Sequence, residues 1–320
     1  MFGVKSRDQY VKQFVLHGNY HALVPEMMKK AHNTAEYLMA HAYYYWPMYD
    51  EALKKMTLIY EIAIKQKAKA LEIDLRQQKG RSNPRDKSLN QLIDDIHKQE
   101  PNRQILDSLL RGKNLRNMFA HPTHDSWMGG IQASRDNIVY YINIINTLFR
   151  DYALFEKHPD QLEIIKSLQN AIESGLYRLS IGNTKLLVHR VLSWELYPSK
   201  SDPFLFTAFQ MVTTDTYQTI SDGFVSDPII IGLKNTKFSD ESLLGVSLDN
   251  GEPVILEPTD HPKNLEIKQA YLSDLEKLDQ DKFKRMGDVI AQQNAGWAIE
   301  RMKYQYLWEN YDAPKAGDSG

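Results

Sequence analysis

The chain has 320 residues, 42% of them hydrophobic, no cysteine, and a net charge of -2 at pH 7. That length suits one large domain or two ordinary ones. No apolar run approaches the ~20 residues needed to span a bilayer, and the missing cysteines exclude disulfides, thiolate zinc sites and cysteine nucleophiles together.

Residues 26–44 are predicted as a first long helix, with Pro25 at its start, where proline is tolerated. Pro47 interrupts the pattern after Tyr43, Tyr44, Tyr45 and Trp46. That aromatic cluster could stack bases, but packing, in the core or at a dimer contact, is the favoured expectation. From about 48 to about 75, Tyr49, Ala52, Leu53, Met56, Ile59, Tyr60, Ala63 and Ile64 recur at three- and four-residue steps. This is the apolar stripe of an amphipathic helix and is assigned to the core.

Residues 76–87 contain Gly80, Ser82, Asn83 and Pro84 and read as a loop. Arg76, Lys79, Arg81, Arg85 and Lys87 make it basic, so it is either a solvated loop or an arm that contacts phosphate. Leu89, Leu92, Ile93 and Ile96 mark a short helix with Ser88 as N-cap, ending before Pro101. Another helix starts at Ile105 and carries on towards His121. After Gly129-Gly130, Ile138, Ile142, Ile145, Phe149 and Tyr152 predict a last long helix over about 131–155.

The second half changes character. After a helix near 160–174, strands are expected at Tyr177–Ile181, Lys185–Leu196, Phe204–Thr213, Pro228–Leu233 and Leu243–Leu256. Asn250-Gly251 inside the last of these is a two-residue hairpin signal. A helical tail follows, about 264–278 and 281–311. The expected class is α+β: an all-α domain over 1–158 and a strand-rich domain with a helical tail over 159–320.

Charge divides along the same line. Residues 1–158 hold 23 Lys and Arg against 17 Asp and Glu, a net of +6, which leaves the remainder at -8. A basic half attracts phosphates and an acidic half does not. The segment Met1–Asp8 has no apolar h-region, so no cleaved secretion signal is expected, and a cytoplasmic location fits the missing cysteines.

One segment combines residues suited to chemistry: Leu115-Arg116-Asn117-Met118-Phe119-Ala120-His121-Pro122. Arg116 and His121 are five residues apart, which on an ideal helix separates them by about 140°. Pro122 disfavours a helical conformation at His121, so the histidine can leave the helix line. Histidine moves protons near neutral pH, and arginine offers a fixed charge with a fork that matches phosphate oxygens. Such a pair can cleave RNA without metal. A base takes the ribose 2′-hydroxyl proton, the oxygen attacks phosphorus, and Arg116 stabilises the developing charge. A second proton carrier would be His124 or a second copy of His121. Lys113 and Trp127 flank the segment and are expected RNA contacts, together with Arg76, Lys79, Arg81 and Arg85. His121, His124 and Asp125 have no distant third ligand, so no metal is expected, and no other cofactor either. His17, His21, His32 and His41 are assigned surface or packing roles. Gly129-Gly130 lacks the spacing of a dinucleotide fingerprint.

The segment resembles the R-x4-6-H signature of the HEPN family, the higher eukaryote and prokaryote nucleotide-binding domain, over roughly residues 20–155. The resemblance implies a helical bundle that dimerises to pair two motifs in one composite site. It also implies ribonuclease activity of the kind found in toxin and antiviral-defence effectors. Catalytic roles then fall on Arg116 and His121, and more weakly on Asn117. An assisting acid on the upstream long helix would be Glu61, with Glu51 next. A catalytically inactive HEPN-like interaction module is the alternative. The acidic half is expected to bind an antitoxin or an activating partner.

Overall fold

The computed structural model describes residues 3–77, 85–120, 130–152, 159–197, 203–214, 227–239, 241–277 and 285–311. It mixes helix and strand, and its contacts divide the chain after Tyr152, a few residues before the expected His158-Pro159 boundary.

The first unit holds α1 (Arg7–Phe14), α2 (Glu26–His41), α3 (Met48–Ala70), α4 (Leu89–Gln99), α5 (Arg103–Ala120) and α6 (Ile131–Leu148). α1 precedes the first predicted helix and is short, with a Ser6 cap that accepts from the Gln9 amide. At the centre is α3, packed against α2, α4, α5 and α6. Every member of its predicted stripe, from Tyr49 to Ile64, is buried. Three predicted ends shift inwards. Ala42, not Tyr44, caps α2, and α6 stops at Leu148 instead of running to 155. In α3 the last helical residue is Ala70, because Glu72 turns left-handed at φ 56°. The Ile73 and Glu72 amides then bond back to the Ala68 and Lys69 carbonyls. This is a Schellman closure, normally written with glycine, so the sequence carried no stop signal there.

Of the packing roles expected for the aromatic cluster, the core role does not hold for most of it. Tyr44 and Tyr45 are 70% and 62% exposed and Trp46 is 39% exposed, because the chain turns over the surface between α2 and α3. Tyr43 alone leans inward, onto Tyr10. The predicted loop over 76–87 is also more ordered at its base. Two short strands, β1 (Arg76–Gln77) and β2 (Arg85–Asp86), pair antiparallel. Ser88 caps α4 through a reciprocal capping box with Gln91.

The second unit is a closed six-stranded barrel with helices: α7 (Pro159–Ser174), β3 (Tyr177–Ile181), β4 (Thr184–Tyr197), β5 (Phe204–Met211), β6 (Ile229–Phe238), β7 (Leu243–Ser247), β8 (Pro253–Pro258), α8 (Pro262–Lys277) and α9 (Arg285–Met302). Every strand pairs antiparallel with its sequence neighbour, and β3 pairs with β8 to close the ring. Leu179, Val188, Leu205, Phe209, Leu233 and Leu256 fill the interior together with the apolar side of α7. Burial on both faces explains the apolar run of β5, since Phe204, Phe206 and Ala208 pack outward on Ala295, Ile299 and Trp308. The Asn250-Gly251 turn sits in a longer connection than expected. Gly251, at φ 73°, bonds back to the Ser247 carbonyl, and β8 begins only at Pro253.

Candidate functional site

A cavity of about 650 Å³ opens beside the motif helix in the first unit. Its walls come from α3 (Glu61, Lys65), α5 (Lys113, Arg116, Asn117), the base of the short hairpin and the first turn of α4.

The position of α5 is set by three tyrosines. Tyr60 on α3 donates to the Leu109 carbonyl at 2.5 Å, and Tyr140 and Tyr141 on α6 donate to Ser108 and Gly112, each at 3.0 Å. Gly112 permits the approach, because a Cβ there would lie 3.1 Å from both the Tyr60 ring and Ile144. These contacts hold one side of α5 against the core and leave Lys113 and Arg116, three residues apart, on the cavity side.

Glu61 joins α3 to α5. Its Oε2 accepts from Arg116 Nη2 at 2.8 Å and its Oε1 from Lys65 Nζ at 2.8 Å. The Glu61 and Arg116 side chains are 22% and 28% exposed, so the pair is partly shielded from water. Partial burial pushes the Glu61 carboxyl up, but hydrogen bonds from Lys65 and Arg116, and their charges, outweigh it and leave it below its ordinary range. Glu61 is therefore anionic at neutral pH and fixes one edge of the guanidinium. A longer bond, 3.4 Å, runs from Arg116 Nη1 to the Asn117 amide oxygen.

Six residues named from the sequence as candidate phosphate contacts or catalytic groups line this one cavity: Glu61, Arg76, Lys87, Lys113, Arg116 and Asn117. Others fall elsewhere. Glu51 lies ten residues before Glu61, about 15 Å along the helix axis, and pairs with Lys54. Arg85 sits opposite Gln77 in the hairpin register, while Arg76 and Asp86 form the pair that faces the cavity. His121, His124, Trp127, Lys79 and Arg81 lie outside the described residues. The structure adds two groups that were not singled out from the sequence: Lys65 and Asn90. Lys65 had a signal, since it sits one turn after Glu61 on the same helix face. Asn90 had none.

Charge in the cavity leans positive. Lys65, Arg76, Lys87, Lys113 and Arg116 face Glu61 and Asp86 among its described residues. Among the described residues no cluster of three His, Asp or Glu could hold a metal ion. The N-terminal histidines behave as structural groups. His32 is fully buried between Tyr20 and the Leu16 carbonyl, His21 is buried against Asn146, and His17 and His41 make surface bonds. None of the described helices is long and apolar enough to cross a membrane.

No protein-family model matches the sequence, and no curated protein and no solved structure matches it either.

Proposed function

We propose that the chain is a metal-independent endoribonuclease of HEPN type, working in the cytoplasm as a homodimeric toxin or antiviral-defence effector. The observation that carries the reading is the Glu61–Arg116 pair on the wall of a cationic cavity. An arginine whose charge served only to cap its helix would have no need of a carboxylate from another helix, or of four further cations around it.

The reaction is an internal transfer at phosphorus. His121 takes the proton of the ribose 2′-hydroxyl, and the oxygen attacks the adjacent phosphorus. Arg116, oriented by Glu61, donates to the non-bridging oxygens as charge builds on them. The bond to the 5′-oxygen breaks, and that oxygen is protonated by the second His121 of a dimer or by His124. The products are a 2′,3′-cyclic phosphate and a free 5′-hydroxyl. DNA lacks the nucleophile and is spared. In this reading the first unit is the helical bundle of a HEPN-like domain, and the acidic second unit binds the partner that restrains or triggers it.

The test uses purified full-length protein, RNA and matched DNA, with and without EDTA. The wild type is expected to cut RNA alone, to leave cyclic phosphate ends, and to keep its activity in EDTA. Arg116→Ala and His121→Ala are expected to lose activity to a similar extent, since groups that act as a unit are not additive. Intact RNA with wild-type protein, together with equal growth of cells expressing wild type and His121→Ala, would sink the reading.

A further inference from the structure

The cavity beside Arg116 is far larger than a phosphate group needs, and its cations are not equivalent. Lys65 and Arg116 both pair with Glu61, Arg76 with Asp86, and Lys87 with Asp95. Lys113 is held differently. Its Nζ donates to the Asn90 amide oxygen at 2.8 Å, a neutral partner. The Asn90 amide nitrogen donates in turn to Asp94 at 2.9 Å, which fixes the amide so that its oxygen faces the lysine. An ammonium whose partner among the described residues is neutral has no carboxylate among them to offset its charge, and has two further protons to offer a ligand. The cavity lining is also partly apolar: Leu75 and Leu89, both half-buried, and the buried Leu92.

We propose that this cavity is a nucleotide subsite, holding one nucleotide of the RNA strand next to the phosphate at Arg116. The base lies against Leu75, Leu89 and Leu92, and its phosphate is bound by Lys113. The identity of the ligand as RNA rests on the ribonuclease reading. The pocket itself does not, because binding here needs neither His121 nor turnover. A volume of about 650 Å³ lies within the range of small-molecule sites and accommodates a base with its ribose and phosphate. Lys113 precedes Arg116 by three residues, so the two cations share one face of α5 and can hold successive phosphates of one strand.

Calorimetric titration of the full-length protein with adenosine and uridine 5′-monophosphates, the parent nucleosides, inorganic phosphate and a short RNA tests this. Nucleoside monophosphates are expected to bind at least tenfold more tightly than inorganic phosphate or the nucleosides, and the RNA more tightly still. Lys113→Met should weaken monophosphate binding by tenfold or more, with Lys113→Arg recovering most of it. Leu89→Ser should weaken the monophosphates while leaving phosphate unchanged, and a native circular dichroism spectrum confirms that each variant is folded. Phosphate binding as tightly as the monophosphates, or Lys113→Met binding like wild type, overturns the subsite. RNA cleavage without monophosphate binding also overturns it and leaves the ribonuclease intact. Monophosphate binding by a protein that cuts no RNA does the reverse.

Discussion

Glu61 Oε2 and Arg116 Nη2 are 2.8 Å apart and connect two helices across 55 residues of sequence. The carboxylate reaches Lys65 with its other oxygen, so it is fixed on both sides. A guanidinium so held presents its remaining donors in one orientation, which lowers the reorganisation needed when charge develops on a phosphate. Glu61 is thus a positioning residue for Arg116.

Glu61→Gln keeps the size of the side chain but removes its charge. Cleavage is expected to slow about tenfold or more, roughly 1.4 kcal/mol or greater in the barrier, chiefly in kcat. RNA affinity should hold or rise, because the cavity becomes more positive. Steady-state kinetics that show a change in KM alone would remove the positioning role. The carboxyl sits below its usual range in the folded protein, so the pair stabilises above the unfolded value near 4.5 and its contribution is lost as pH falls through the folded value. Glu61→Gln should therefore flatten the acid limb of stability, read by denaturant melts at several pH values.

His21 is expected to titrate near pH 4. Burial pushes the imidazole down, the bond to Asn146 works against that, and Lys29 adds to the depression. Its Nε2 lies 2.8 Å from the Asn146 carbonyl, which can only accept, while Nδ1 accepts from the Leu23 amide at 3.2 Å. The neutral ring therefore carries its proton on Nε2. Because the folded value is depressed, its contribution is complete above about 6.5 and is lost as pH falls towards 4. Nitrogen NMR of labelled histidine should show that tautomer and a midpoint near 4. A midpoint near 6.5 would mean that His21 is not buried as described.

Glu72 holds a left-handed conformation that favours glycine. Glu72→Gly is expected to raise stability by about 0.5–1 kcal/mol, and Glu72→Val to lower it by about 1 kcal/mol, since a β-branched residue is worst there. Thermal unfolding checks both, and a Gly variant less stable than wild type would contradict the closure drawn for α3.

Lys303 tests the second unit. It is 4% exposed and donates to Glu195 at 2.9 Å and Glu300 at 2.6 Å, with its ammonium 5.2 Å from the Tyr197 ring centre. Desolvation works to lower its pKa, but the two carboxylates outweigh it and hold it well above its ordinary value. Lys303→Met should cost about 3–5 kcal/mol by leaving the buried Glu300 and the half-buried Glu195 without their cation. Adding Glu195→Gln and Glu300→Gln should recover much of that loss in denaturant melts. A single variant as stable as wild type would show the cluster to be hydrated.

The sequence by itself determined the elements whose signals are local. The α3 stripe, the Ser88 cap, the strand at Tyr177–Ile181 and the helices after Pro262 follow from side-chain period and from residues that stop a helix or start one. It also singled out Arg116, while the ranking of Glu61 ahead of Glu51 as an assisting acid came only with the family resemblance. Where the stop was backbone geometry on an ordinary residue, as at Glu72, it overran. Tertiary structure alone decided that β3 meets β8, with Tyr177 opposite Pro258, because that pairing depends on how the four intervening strands curl. It alone brought Asn90 to Lys113 and Glu61 to Arg116. Those contacts cross 23 and 55 residues, and no periodicity within one helix encodes which side chain of another will stand opposite. Arg116 was legible as a residue. Its cavity, and the carboxylate that orients it, came from the packing of α3, α4 and α5.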